Sequence, residues 1–119
     1  MSAESALYAA LSGLPGLTAL VSTRIYPDVI PEDAAMPAVV TARTGTEPVI
    51  GIGGAKFGEF AQMTISAWAP TRTLAESVGD QIAEALRVAG NPAGNRLGGY
   101  DEESGLFAAT LETTWFTAA

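Results

Sequence analysis

Two residue types that carry much of enzyme chemistry, cysteine and histidine, are missing from this chain of 119 residues. Without cysteine there can be no disulfide, thiolate nucleophile or Cys-based zinc site, although this says little about the compartment. Without histidine the chain lacks the usual general base and the commonest ligand of transition metals. These absences exclude most simple hydrolase sites, and they favour a protein that is not an enzyme.

Positive charge is also scarce. Six Lys and Arg residues stand against 13 Asp and Glu residues, which gives a formal net charge of −7. Because contacts with phosphates dominate the affinity of proteins for DNA and RNA, a surface of this charge repels nucleic acid. We therefore expect no tight binding to DNA or RNA.

Long apolar runs are the third absence. No stretch approaches the roughly 20 apolar residues that cross a bilayer, and the start of the chain, MSAESALYAAL, has an acid but no Lys or Arg, unlike a signal peptide. We expect a protein of the bacterial or host cytoplasm, or of a particle assembled there, with no membrane contact. The length fits one domain, residues 1–119, and the 48% apolar content is enough for a core.

Two segments have the apolar spacing of amphipathic helices. Ser2 to Ser12 begins with a potential N-cap. Thr71 to Ala89 carries a narrow apolar stripe, and it starts with a pair, Thr73 and Glu76, that matches a capping box. Gly90 suits the C′ position of this second helix. The intervening LTALV, 17–21, is too short to assign.

Strand patterns occupy most of the remaining chain. The short run TRIYP, 23–27, and the run AVVTART, 38–44, precede the clearest strand, 59–69, in which alternate residues are apolar. A final strand, 105–117, follows a predicted hairpin turn, GGYDEESG. Between the second and third runs lies GTEPVIGIGGAKFG, 45–58, which holds five glycines and which we predict to be a long flexible loop.

This order of elements predicts an α+β fold with a mainly antiparallel sheet of three to five strands and two helices packed on one face. The opposite face would carry polar residues in mid-strand and aromatic or aliphatic residues near the strand ends. These are Gln62, Thr64, Ser66, Thr110, Glu112 and Thr114, with Phe60, Trp68, Leu106 and Phe116. Such a face is either an ordinary solvated surface or a contact with a neighbouring subunit, and the pattern leaves both open.

Two short motifs invite a functional interpretation. GIGG, 51–54, lacks the third glycine and the following helix of a phosphate-binding loop, so we interpret it as a hairpin tip. DEES, 101–104, holds three carboxylates but lacks the ligand spacing of a calcium loop, so we interpret it as a solvated turn. The sequence therefore predicts no catalytic residue, no metal site and no cofactor.

Several segments occur in a familiar order. RIYP, 24–27, is followed about ten residues later by MPAVV, and a strand that ends in AW leads into the helix TLAESVGDQIAEAL and then into YDEESGLFAATLETTWF. In order and texture, over nearly the whole chain, this resembles the tail-completion family. Its members are the tail-terminator, or tail-to-head joining, proteins of long-tailed phages, prophages and gene-transfer agents.

The resemblance implies a structural component of the virion tail or neck, assembled in the cytoplasm of the bacterial host. Copies would form a ring, usually of six, that caps the tail tube and contacts the tube protein and the head-tail connector proteins. DNA would pass through the lumen without specific binding, which suits a negatively charged channel. The residues that we expect at a subunit or tail interface are Ile25, Tyr26, Pro27, Lys56, Phe57, Trp68 and Phe116.

Three alternatives stay open at this point. The chain could be another neck or connector component of the same particle. It could be a small ligand-sensing α+β module that dimerises through its sheet, which predicts a two-fold assembly and a pocket between the helices and the sheet. It could also be an enzyme that uses carboxylates alone.

Overall fold

The computed structural model describes residues 2–118, which form an α+β fold with a five-stranded sheet and three helices. The helices are α1 (Ala3–Ser12), α2 (Pro15–Val21) and α3 (Arg72–Val88). The strands are β1 (Ile25–Pro27), β2 (Ala38–Ile50), β3 (Lys56–Ala69), β4 (Asn95–Asp101) and β5 (Leu106–Ala118). Their spatial order is β1-β2-β3-β5-β4, and every neighbouring pair is antiparallel except the parallel β1 and β2. The predicted fold class is confirmed, with three helices instead of two.

The additional helix is α2, which the sequence pattern was too short to predict. Pro15 stands in its first turn, where its missing N–H would have no partner in any case. Leu17 and Val21, one turn apart on the same side, are fully buried. The burial of these two side chains stabilises a segment that would not hold a helix by itself.

The two predicted helices have well-formed ends, but one predicted cap is wrong. The Ser2 hydroxyl accepts a hydrogen bond from the Ser5 N–H at 3.1 Å and caps α1. At the start of α3 the N-cap is Thr71, whose hydroxyl accepts from the Leu74 N–H at 3.2 Å. The predicted capping box of Thr73 and Glu76 is therefore wrong, because α3 begins two residues earlier than that pair requires.

The end of α3 follows the prediction. Gly90 has a φ of +84°, in the left-handed region that glycine tolerates best. The Gly90 N–H donates to the Arg87 carbonyl and the Asn91 N–H donates to the Leu86 carbonyl, at 3.1 and 3.0 Å. This pair of hydrogen bonds is the Schellman motif, and it turns the chain sharply out of the helix.

Residues 45–58 form the end of a long β-hairpin, so the predicted long loop is wrong. β2 continues to Ile50 and β3 begins at Lys56, which leaves only residues 51–55 for the turn. Pro48 lies where β2 is an edge strand, paired with β3 alone among the described strands, and proline is tolerated on edge strands. Glycine and proline are typical of loops, and the sequence pattern predicted a loop for that reason, but Pro48 and Gly58 lie within strands.

The core fills the layer between the helices and the sheet. The predicted alternation in β3 is confirmed, since Ala61, Met63, Ile65 and Ala67 face the helices and are buried. They pack against fully buried residues of all three helices and of β5, which include Leu7, Leu11, Leu17, Val78, Ile82, Leu86 and Leu111. Each such side chain contributes about 1.5–3 kcal/mol of burial free energy. Among the helices within residues 2–118, none combines the length and the apolar character needed to span a bilayer.

The sheet narrows along its length. β1 pairs only with residues 39–41 of β2, and the pairing of β4 with β5 reaches Glu112 and goes no further. Beyond these points β2, β3 and β5 continue as a three-stranded ribbon, made of residues 42–50, 56–63 and 113–118. The molecule measures 52 × 29 × 24 Å, and its long dimension matches the roughly 45 Å span of a strand of β3's length.

Candidate assembly surfaces

One face of the sheet, which we call the open face, is covered by no other element among the described residues. The register places Tyr26, Val40, Ser66, Thr110 and Leu97 in one row that crosses all five strands on this face. The row has apolar residues at both ends and two hydroxyls, 3.1 Å apart, at its centre. The predicted assignment of the two faces is therefore confirmed.

Trp68 occupies the next row of the open face. Its register neighbours are Ala38 on β2 and Ala108 on β5. Both alanines are buried, and they flank Trp68 on the two neighbouring strands. Trp68 is partly exposed, and it is the bulkiest apolar side chain on the five-stranded part of the open face.

An aromatic pair continues the open face onto the ribbon. Phe60 of β3 and Phe116 of β5 are register partners with ring centroids 5.2 Å apart and a tilt of 60°. Both rings are exposed on one side. Such a pair stiffens two neighbouring strands, and it presents a hydrophobic surface to whatever lies against the ribbon.

The end of the hairpin carries a second apolar surface, which we call the hairpin tip and define as residues 50–57. Ile52 is fully exposed, Phe57 is 62% exposed and Ile50 is 54% exposed. The Phe57 ring lies against Gly51, since a Cβ atom on residue 51 would stand 2.1 Å from the ring. The apolar side chains of the tip therefore form a compact projecting surface, and among residues 2–118 no other element covers it.

Ion pairs hold the base of the hairpin to the rest of the molecule. Arg43 of β2 binds Glu4 of α1 and, at 3.3 Å, Glu59 of β3. Lys56 approaches Glu59 at 3.1 Å. The hydrogen bond from Arg43 lowers the pKa of Glu4, and the hydrogen bonds from Lys56 and then Arg43 lower the pKa of Glu59. The ribbon is thus anchored to the helix layer at its root while its tip stays free.

Further ion pairs join β4 to α3. Arg96 donates hydrogen bonds to Asp80 at 2.8 Å and to Glu76 at 2.7 Å. Burial alone would lower the pKa of Arg96, but its hydrogen bonds with Asp80 and Glu76 outweigh that effect and raise it. The guanidinium passes over Gly79, where any side chain would stand 2.8 Å from it. β4 is consequently held by side-chain contacts as well as by its single ladder with β5.

The Lys and Arg side chains have carboxylate, carbonyl or aromatic partners on the same chain, so the unpaired charges at the surface are acidic. Arg24 donates to the carbonyls of Pro37 and Leu20, and Arg72 lies over the Phe107 ring at 5.1 Å. The acids at 28–33 and 101–103 have no basic partner among residues 2–118, and the same holds for Glu47 and Glu112. The described residues contain no group of three or more His, Cys, Asp and Glu that could hold a metal ion.

Two grooves open on the surface. A polar groove of about 570 Å³ runs beside the ribbon and is lined by residues that include Thr44, Gln62, Asn91, Asn95, Glu112 and Thr114. An apolar groove of about 230 Å³, which we call the helix groove, lies between α1 and α3. Its walls are Ala9, Ala10, Gly13 and Leu14 on one side and Ala85 and Val88 on the other.

The structure distributes the predicted interface residues over three places. Tyr26, Pro27 and Trp68 lie at the five-stranded end, Phe116 lies on the ribbon, and Lys56 and Phe57 lie at the hairpin tip. Ile25 is 5% exposed and belongs to the core. The sequence interpretation missed Ile50 and Ile52, whose signal was two isoleucines beside the turn glycines, and it missed the helix groove.

Comparison with known proteins gives a matching family and a similar solved structure. A family model described as "Tail completion protein gp17" matches residues 5–117. A chain of a solved structure titled "Virion of native gene transfer agent (GTA) particle" is 19% identical, with a TM-score of 0.83 over 99% of this chain and 96% of that chain. No protein with a curated description matches. Because the family model extends from α1 to β5, the chain belongs to the family of tail completion protein gp17, as the resemblance predicted.

Proposed function

We propose that copies of this chain assemble into a ring of six that caps the tail tube and joins it to the head. Membership of a tail completion family makes the chain a structural component of the tail. The similar chain belongs to a gene transfer agent virion, which supports a place in a virion, of a phage or of such an agent. The tail-tube protein and the head-tail connector proteins are the partners in this proposal.

One observation carries the proposal beyond the family. A single chain presents the open face, with Trp68 at its centre, and a projecting apolar hairpin tip, and neither has a partner within residues 2–118. Contiguous exposed apolar surface on a small protein marks a site of interaction with other proteins. Since the two surfaces differ, contacts between copies would be heterologous, and heterologous contacts close into rings when the rotation permits.

The predicted interface residues take separate roles in this ring. Tyr26, Pro27 and Trp68 supply the open-face contact, and Phe116 extends it along the ribbon beside Phe60. Lys56 and Phe57 supply the contact at the hairpin tip. Ile25 is buried, so its role is to hold β1 against β2 and thereby to position Tyr26.

The charge of the chain fits passage of DNA through the ring. Each copy adds a formal charge of −7, and its carboxylates at 28–33 and 101–103 have no basic partner among residues 2–118. A channel of this sign repels phosphates, so DNA would slide through without binding. The same charge argues against any function that requires the chain to grip nucleic acid.

The packing of the core is unfavourable to the ligand-sensing alternative. That alternative needs a pocket between the helices and the sheet, and among the described residues this layer is filled by fully buried apolar side chains. The helix groove and the polar groove both lie at the outer surface instead.

The test is to remove the gene from the cells that produce the particle and to examine the particles by electron microscopy. We expect heads and tails that fail to join, and full joining when the wild-type gene is returned. A labelled copy of the chain should then mark a ring at the head end of the tail tube. Normal particles in the absence of the gene would overturn the proposal, and a label elsewhere in the neck would favour the connector alternative.

A further inference from the structure

The hairpin tip is unlike the rest of the surface because its large side chains are apolar and almost completely uncovered. The ladder continues up to the pair Ile50 and Lys56, so the tip is held out from the body of the molecule by paired strands. Ile52 is fully exposed, and Phe57, although its ring lies against Gly51, is still 62% exposed, so neither side chain reaches the core. Such a knob favours a matching hollow on another molecule.

A hollow of suitable chemistry exists on the same chain. The helix groove is lined by alanines, a glycine and two larger aliphatic residues, and one of these, Val88, is 64% exposed. An apolar cavity of about 150 Å³ accepts a benzene molecule. A groove of about 230 Å³ therefore has room for the ring of Phe57 or for the side chain of Ile52.

Charge supports the same match. The groove lies where α1 and α3 end, next to the C-caps Gly13 and Ala89. Helix C-termini carry partial negative charge, and they attract cations over the last turn. Lys56 adjoins Phe57 in the hairpin tip, its side chain is 51% exposed, and its ammonium group also contacts Glu59 at 3.1 Å. An apolar knob with a neighbouring cation thus faces an apolar groove with two negative helix ends.

We propose that the hairpin tip of one copy docks into the helix groove of the next copy. Ile52 and Phe57 fill the groove, and Lys56 faces the C-termini of α1 and α3. The contact is heterologous, because tip and groove lie on different parts of the molecule, so it adds copies head to tail. This inference rests on the proposed ring, and it identifies the surface that the hairpin tip contacts on the next copy.

Cross-linking tests the contact directly, because the chain contains no cysteine and thus gives no background. Cells that produce the particle are made to express the double variant Ile52→Cys with Val88→Cys, and the particles are purified. Treatment with a short bismaleimide should then give a ladder of covalent multimers of the chain. Each single variant is the matched control and should give no multimers, since a thiol would then be present on the tip or in the groove but not on both. Particles that contain the ring but yield no ladder would overturn the inference.

A second pair of variants measures the energy of the contact. Ile52→Asp should weaken self-association at least about tenfold, because it removes the aliphatic side chain that the contact between copies would bury. Ile52→Leu keeps an aliphatic side chain of the same size, so it should leave self-association close to wild type. Circular dichroism should be unchanged for both, since residue 52 is fully exposed.

The outcomes separate the inference from the proposed function. If the wild-type chain forms no ring on particles, the proposed function fails. If the ring forms and Ile52→Asp leaves it intact, only the docking of tip into groove fails. A variant ring that assembles normally but no longer binds the tail tube would also overturn the inference, because the tube protein would then be the occupant of the tip.

Discussion

The ring of Phe116 lies directly over Gly58. A Cβ atom on residue 58 would stand 2.6 Å from Phe116 Cζ and 2.6 Å from the carbonyl oxygen of Thr117. The two residues belong to neighbouring strands of the ribbon, and the same phenyl ring meets Phe60 at 5.2 Å. Gly58 is therefore required by the close approach of an aromatic ring, and the aromatic pair on the open face depends on it.

Replacement of Gly58 by alanine should destabilise the protein. The added methyl group must displace the Phe116 ring or the backbone of β5, and overpacking of this kind costs about 1–3 kcal/mol. The midpoint of urea-induced unfolding measures the effect. Gly99→Ala is the matched control, because Gly99 also lies in a strand and its nearest neighbour, Ala108 Cβ, would be 4.0 Å away. Equal midpoints for the two variants would contradict the prediction.

Loss of Arg96 should loosen β4. Arg96→Met keeps the aliphatic stem but removes the ion pairs with Glu76 and Asp80, which join β4 to α3, and we expect a loss of about 1 kcal/mol. Hydrogen exchange should become faster for amides of β4 while amides of β3 stay protected. Arg87→Met is the control, since among residues 2–118 the ion-pair partner of Arg87 is Glu84 on the exposed side of its own helix. Unchanged hydrogen exchange in β4 would contradict the prediction, because the backbone hydrogen bonds with β5 would then be enough to hold β4 in place.

The ion pairs of Arg43 should make stability depend on pH. The pKa values of Glu4 and Glu59 are lowered from an ordinary value of 4.5, chiefly by hydrogen bonds from Arg43 and Lys56 respectively. A carboxylate whose pKa is lower in the folded state stabilises that state above the unfolded pKa. Its contribution disappears as the pH falls through the folded pKa. Stability should therefore decline as the pH falls below about 4.5.

Arg43→Met should flatten this decline, because both carboxylates lose their strongest or second partner. Urea midpoints measured at neutral pH and at several acidic pH values give the comparison. Arg24→Met is the control, since Arg24 donates to backbone carbonyls and not to carboxylates. If the acid slopes of wild type and the Arg43 variant coincide, the pKa shifts that Arg43 causes do not contribute to folding.

The regular elements could be predicted from the sequence because their residues repeat with a clear period. The alternation in β3 and the stripe of α3 were read correctly for that reason. The extension of the hairpin could not be predicted, since Pro48 and Gly58 resemble loop residues until Phe116 and the outer position of β2 are known. Ile25 and Tyr26 illustrate a further difficulty, because a strand of three residues does not reveal which side chain points inward. The helix groove joins segments about 75 residues apart, and no local pattern encodes it.

The two tryptophans provide a test of the open face. Trp115 is 7% exposed within the core, whereas Trp68 is partly exposed on the open face. In the variant Trp115→Phe only Trp68 emits, and its fluorescence should shift to shorter wavelength when copies assemble, because assembly would remove water from the indole. The substitution removes no hydrogen bond, since among residues 2–118 the buried Trp115 Nε1 has no partner, and its cost is the loss of buried volume. In the reciprocal variant Trp68→Phe, the emission of Trp115 should stay constant, because that indole is already shielded in the single chain. A shift from Trp115 with none from Trp68 would mean that assembly rearranges the core and leaves the open face in solvent.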